Sequence, residues 1–137
     1  MSLVLDSSAT LAYAFLEERT DAILDVFDHI ERSGAVVPEL WRVEVANSLN
    51  VGVRRGRIDA RNRMIILAGL EGLPIRIDRE TGDRAWLETL AVADKHRLTV
   101  YDATYLELAL RLALPLATLD DDLRQAAQLE GLVLLAK

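Results

Sequence analysis

The sequence predicts an α/β fold: a parallel sheet covered by helices on both faces. Short apolar runs alternate with longer amphipathic stretches along the whole chain. Parallel strands need a helical crossover between them, and this alternation supplies it. Gly34, Gly56 and Gly131 also stand just past helix candidates, where glycines that end helices belong.

The strands are expected at "LVL" (3–5), "AVV" (35–37), "PIRI" (74–77), "LAT" (116–118) and "LVLL" (132–135). Helices are expected at about 8–16, 20–33, 40–55, 59–70, 81–96, 103–113 and 121–130, with Asp59 as an N-cap. No repeat, low-complexity tract or linker interrupts the pattern, so residues 1–137 read as a single domain. Its hydrophobic fraction of 51% is enough for a substantial core.

Charge and composition exclude several classes. The net charge of −6 gives no global basic field to attract nucleic acid or membrane. Without cysteine there are no disulfides or thiolate metal sites, and a reducing, cytoplasmic setting is expected. Asp6 interrupts any signal-peptide apolar region, and Glu107, Arg111 and Pro115 break the most apolar later stretch.

Four acids stand out. Asp6 directly follows the first strand in "LVLDSSA", Asp120 follows the fourth in "LATLDDDL", and Asp102 opens a helix in "VYDATYLELA". Ligands of such sheets bind at the carboxyl ends of strands, which brings Asp6 and Asp120 to one edge. Glu44 lies in "ELWRVEVANSLN" on the helical stripe of Leu40, Trp41, Asn47, Ser48 and Val51, opposite Arg42. Each has an ordinary explanation too. The three aspartates can cap helices, and Glu44 can be the buried partner of an arginine. Together, four acids in one cleft would repel and take up protons unless a cation relieved them.

The donor types select that cation. His29 and His96 have no histidine or cysteine partner at ligand spacing, so zinc is disfavoured and both read as ordinary helix residues. Carboxylates alone suit Mg²⁺, with Mn²⁺ as a substitute, and the chemistry natural to such a site is phosphoryl transfer to water. Ser7, Ser8, Thr118 and Asn47 are placed to orient the acids, although Ser7 and Ser8 can equally make caps and turns. Arg54, Arg55, Arg57, Arg61 and Arg63 form a local basic patch. It can serve phosphates or an acidic partner, or simply be a solvated connection in an arginine-rich chain.

At "LVLDSSA", "PELWRVEVANSL", "YDATYLELAL" and "LATLDDDLRQAA", in this order, the chain resembles PIN domains, and specifically the VapC-type toxins of bacterial toxin–antitoxin pairs. The resemblance implies a PIN-like three-layer sandwich with a parallel sheet of about five strands in the order 3-2-1-4-5. It implies a Mg²⁺-dependent endoribonuclease, a homodimer, and a small DNA-binding antitoxin as partner. The family's acids fall on Asp6, Glu44, Asp102 and Asp120, and its hydroxyl positions on Ser8 and Thr118. Asp121 is a possible assistant to Asp120. Leu11, Phe15, Trp41 and Leu49 can line a groove for the antitoxin or pack in the core.

Rival readings fit less well. A haloacid-dehalogenase-like phosphatase needs a second aspartate where Ser8 stands, and only Lys95 could serve as its lysine. A receiver domain would have to use Lys137, and glycine-rich phosphate loops are absent. A PIN-like scaffold that binds without cleaving stays open, because fold does not prove turnover.

Overall fold

β1 (Leu3–Leu5) is the centre of a five-stranded, all-parallel sheet in the order β3-β2-β1-β4-β5. In the computed structural model, which describes residues 1–137, β1 pairs with β2 (Ala35–Pro38) on one side and β4 (Leu116–Ala117) on the other. β3 (Ile75–Asp78) and β5 (Leu134–Leu135) form the edges. The burial of the strands follows from this order. Every residue of β1, β2 and β4 is buried, whereas the edge strands are only partly covered.

Between the strands run α1 (Ser7–Ala14), α2 (Asp21–Ser33), α3 (Leu40–Arg54), α4 (Ala60–Glu71), α5 (Thr81–Arg84), α6 (Leu90–His96), α7 (Val100–Leu112) and α8 (Asp121–Leu129). α1 packs on α2 and α3, while α7 packs on β1, β2 and β4 and against α6 and α8. Residues 103–109 of α7 are all buried, as expected of a helix apolar nearly all round. Leu3, Leu5, Leu106 and Leu108 are fully enclosed, each contributing about 1.5–3 kcal/mol of burial.

The expected elements are all present, with differences that have local causes. The first helix ends at Ala14 because Phe15 turns extended (φ −90°, ψ 108°), and a 3₁₀ turn follows at Leu16–Glu18. Asp59 caps α4 as anticipated, accepting from the Asn62 amide at 2.7 Å. The single helix expected at 81–96 contains a π turn at Ala85–Thr89, which an unchanged amphipathic composition does not betray. α7 begins three residues early, because Thr99 takes the N-cap and accepts from the Asp102 amide at 3.1 Å.

A buried charge cluster fastens the β3 edge. Arg111 of α7 donates to Asp78 at the end of β3 (2.8 Å) and to Glu107 one turn back (2.9 Å). All three are largely enclosed, so removing one would leave uncompensated charge in the interior.

Gly34 ends α2 with φ 79° and ψ 174°, a region open essentially to glycine alone, and a Cβ there would meet the Pro74 carbonyl at 3.0 Å. Gly34→Ala is therefore expected to destabilise the fold by about 1–3 kcal/mol, read as a lower urea midpoint at unchanged slope.

Candidate active site at the carboxyl edge of the sheet

The chain runs from β1 outward through β2 to β3, then crosses back to place β4 on the other side of β1. The reversal leaves a crevice between the ends of β1 and β4, the usual ligand position in open α/β sheets. Asp6 leaves β1 here, and Thr118 and Asp120 leave β4.

Asp6 is only 3% exposed. Its Oδ2 accepts from Ser8 Oγ (2.6 Å) and Thr118 Oγ1 (2.7 Å), while Ser7 Oγ stands at a long 3.5 Å from Oδ1. Burial pushes this carboxyl above its ordinary range, and the bonds from Ser8 and Thr118 only partly offset that. Asp6 occupies the N-cap position of α1 but makes no side-chain cap bond, so capping is not what keeps it there. The second-strand side is tied in through Trp41, whose indole donates to Thr10 Oγ1 (2.9 Å); Thr10 in turn donates to the Asp6 carbonyl (3.0 Å).

That link sets the position of α3 and of Glu44, one turn beyond Trp41. Glu44 is half-buried, and no arginine pairs with it, contrary to the ion-pair alternative. Its partner is Tyr105 of α7, whose hydroxyl donates to Oε1 at 2.5 Å. Tyr105 is fully buried, and its phenol is pushed well up by burial first, then by the bond to Glu44 and the charges of Asp6 and Glu44. It therefore remains a donor.

Asp102, one turn before Tyr105, lies in the first turn of α7 and is not its cap. Its carboxyl rises from an ordinary 3.8 to about 6, through burial and then the charges of Asp120, Asp6 and Glu44, opposed only by Thr99. Asp120 does cap α8, accepting from the Leu123 amide through Oδ1 (2.9 Å), while its own amide donates to Thr118 Oγ1 (3.1 Å). The loop carrying it is braced by Arg124, whose Nη1 donates to the carbonyls of Thr118 (2.7 Å) and Leu135 (2.8 Å).

Asp102 thus feels the charges of the other three acids. The donor set is entirely oxygen, and Asp102 carries the repulsion that a cation would relieve. No three acidic or histidine side chains form a ready-made cage. Mg²⁺ does not need one, since it keeps several waters and takes only one or two carboxylates directly. The residues present fit such an ion.

The other expected participants divide. Ser8 and Thr118 hold Asp6, as anticipated, and Ser8 Oγ also accepts from the Leu119 amide at 3.0 Å. Asn47 makes no bond to any acid, but lines a cavity of about 490 Å³ together with Ser8, Ser48, Arg55, Arg57 and Asp120. Asp121 points away to Lys137 (2.9 Å), which lowers its carboxyl below the ordinary range. Arg57 is bound to Glu17 and Glu18 and lies 3.7 Å over the Phe15 ring; Arg63 reaches Asn50 at 3.4 Å. Arg54, Arg55 and Arg61 have no side-chain partner within the chain.

Trp41 and Leu49 belong to the core, Phe15 is buried there but also lines an apolar cavity with Tyr13 and Leu16, and Leu11 is half-buried. His29 donates to the Met1 carbonyl and His96 stands beside Glu130, both away from the acids. Lys95 is engaged by Glu130 at 2.5 Å, leaving the phosphatase reading without its lysine. Tyr105 is the residue sequence reasoning missed. Its signal was its spacing, three residues after Asp102 on one helix face.

Comparison with known proteins agrees with this architecture. The PIN-domain family model matches residues 3–129, and the chain belongs to that family. Among its relatives, Ribonuclease VapC3 of Pyrobaculum aerophilum is 32% identical over 130 residues, covering 91% of this chain and 94% of that protein. The crystal structure of PAE2754, from the same organism, superposes with a TM-score of 0.67 at 24% identity, over 98% of this chain and 89% of the other. A toxin–antitoxin complex from Klebsiella pneumoniae gives 0.51 at 17% identity, over 86% of each chain. At these identities the two structures establish the fold alone.

The raised Asp102 carboxyl carries a pH signature. A group that binds its proton more tightly when folded lowers stability as pH rises, here from about 4 to about 6, after which its effect is constant. In EDTA, Asp102→Asn should be at least as stable as wild type at pH 7 and should flatten that descent. Urea midpoints at pH 4.5 and 7 would show it, and a clear loss at pH 7 would mark Asp102 as structural.

Proposed function

We propose that this protein is an endoribonuclease toxin that hydrolyses RNA with a divalent metal ion at Asp6, Glu44, Asp102 and Asp120. The gathering of Asp6, Asp120, Glu44 and Asp102 near the strand-order reversal, close enough that three of them act on the Asp102 carboxyl, carries this reading, because only Asp120 has a structural task, as the cap of α8. The ribonuclease name of the 32%-identical relative supports RNA as substrate.

Asp6 would be the fixed anchor of the ion, oriented by Ser8 and Thr118. Glu44 and Asp120 each keep one oxygen bonded to the protein and the other without a protein partner. Mg²⁺, or Mn²⁺ in its place, supplies activation of the attacking water and neutralises charge on the phosphate. Water's oxygen bonds to phosphorus as the bond to the 3′ oxygen breaks, leaving 5′-phosphate and 3′-hydroxyl ends. The cavity beside Asp120 leads to Arg55, whose unpaired guanidinium suits an RNA phosphate.

A free ribonuclease endangers its own cytoplasm, and a small DNA-binding antitoxin is the expected partner. The name of the Klebsiella complex supports such a pairing. An apolar groove of about 550 Å³ between the 3₁₀ turn and α4, lined by Tyr13, Phe15, Leu16, Ile58, Ile65 and Ile66, suits an amphipathic segment. The active form would be a single PIN domain, paired as a homodimer. No helix is long and apolar enough to cross a membrane.

Asp6→Asn should lower Mg²⁺-dependent cleavage of single-stranded RNA by about 100-fold or more, as for loss of a key electrostatic group. Cleavage that persists in EDTA, or in the freshly purified variant, would sink the assignment. In cells, growth arrest by the wild-type chain should be relieved by its antitoxin and absent for Glu44→Gln.

A further inference from the structure

We propose that Tyr105 biases which divalent ion the site accepts, by holding one carboxylate oxygen of Glu44 and leaving the other without a protein partner. The inference rests on the reading of the four acids as a metal site. Its physical basis is a recurring pattern in how three of the four are held. Asp6 has Oδ2 engaged by Ser8 and Thr118, Asp120 has Oδ1 engaged by the Leu123 amide, and Glu44 has Oε1 engaged by Tyr105. Each thereby keeps one oxygen less engaged by the protein than the other.

Ion size makes this consequential. Mg²⁺ holds six oxygens in a near-ideal octahedron and commonly takes carboxylates through a single oxygen. Ca²⁺ takes six to eight oxygens at longer range and readily uses both oxygens of one carboxylate. Turning both oxygens of Glu44 onto one ion would rotate the carboxylate and misalign the bond that Oε1 accepts from the phenol. Tyr105 is fully buried in α7 and cannot swing out to water, so only the Ser7 side chain is at hand to replace that bond. That cost falls on the larger ion. Ser8 and Thr118 cannot be removed without freeing Asp6 itself, whereas Tyr105→Phe deletes only the hydroxyl and keeps the ring in the core.

The test is calorimetric titration of MgCl₂ and, separately, CaCl₂ into the EDTA-stripped full chain. In Tyr105→Phe the ratio of Ca²⁺ to Mg²⁺ affinity should rise about 10-fold over wild type, the usual scale for a residue that orients a metal ligand. 4-Fluorophenylalanine at position 105, which fills the place of the hydroxyl but cannot donate, should shift the ratio in the same direction and decides the matter if Tyr105→Phe fails to fold. An unchanged ratio, or a parallel loss of both affinities, overturns the role in selectivity while leaving the metal site intact. If the wild-type chain binds neither ion saturably, the metal site falls and this inference with it.

Discussion

The bond pair that fixes this site joins two strands that meet only in space. Asp6 ends β1 and Thr118 ends β4, and the Thr118 hydroxyl donates to Asp6 Oδ2 beside that of Ser8. A carboxylate this buried needs such donors, because an unsatisfied charge in the interior costs several kcal/mol. The same Thr118 hydroxyl accepts from the Asp120 amide. One threonine therefore registers two of the four acids against each other, and the sheet order makes the contact possible.

The acids are unequal, and the inequality is built by neighbours. Asp6 has two hydroxyls, Glu44 a phenol and Asp120 a helix amide, whereas Asp102 has little beyond Thr99 to oppose the other three charges. Clustering charge is unfavourable for folding, so the cost is concentrated where the chain has least to lose. Asp102 is only half-buried in the first turn of α7, and positive charge at a helix N-terminus favours an acid there.

Much of this was legible in the sequence, for physical reasons. An acid directly after an apolar strand of a parallel sheet must lie at the carboxyl edge, so Asp6 and Asp120 could be located without coordinates. Glu44 was conspicuous because carboxylates are costly on a buried helix stripe. What compensates it was not legible, since Tyr105 lies sixty-one residues away along the chain and reads locally as one more core aromatic. The same ambiguity affected Trp41 and Leu49: apolar residues on a helix do not announce whether a core or a partner covers them. The π turn at Ala85–Thr89 and the capture of Arg57 by Glu17 and Glu18 also depend on geometry that no local pattern encodes.

Arg124 extends the site further than its acids suggest. By donating to the carbonyls of both Thr118 and Leu135, its guanidinium splices the outermost strand to the loop that presents Asp120. β5 is only two residues long, too short to hold a sheet edge through its ladder alone. Its role is that of a buttress: a load applied to the tail, by a fused tag or a bound protein, would reach the cleft through Arg124 as well as through the β4 ladder and the Lys137–Asp121 pair. An edge strand with no acid of its own thereby becomes a handle on the chemistry.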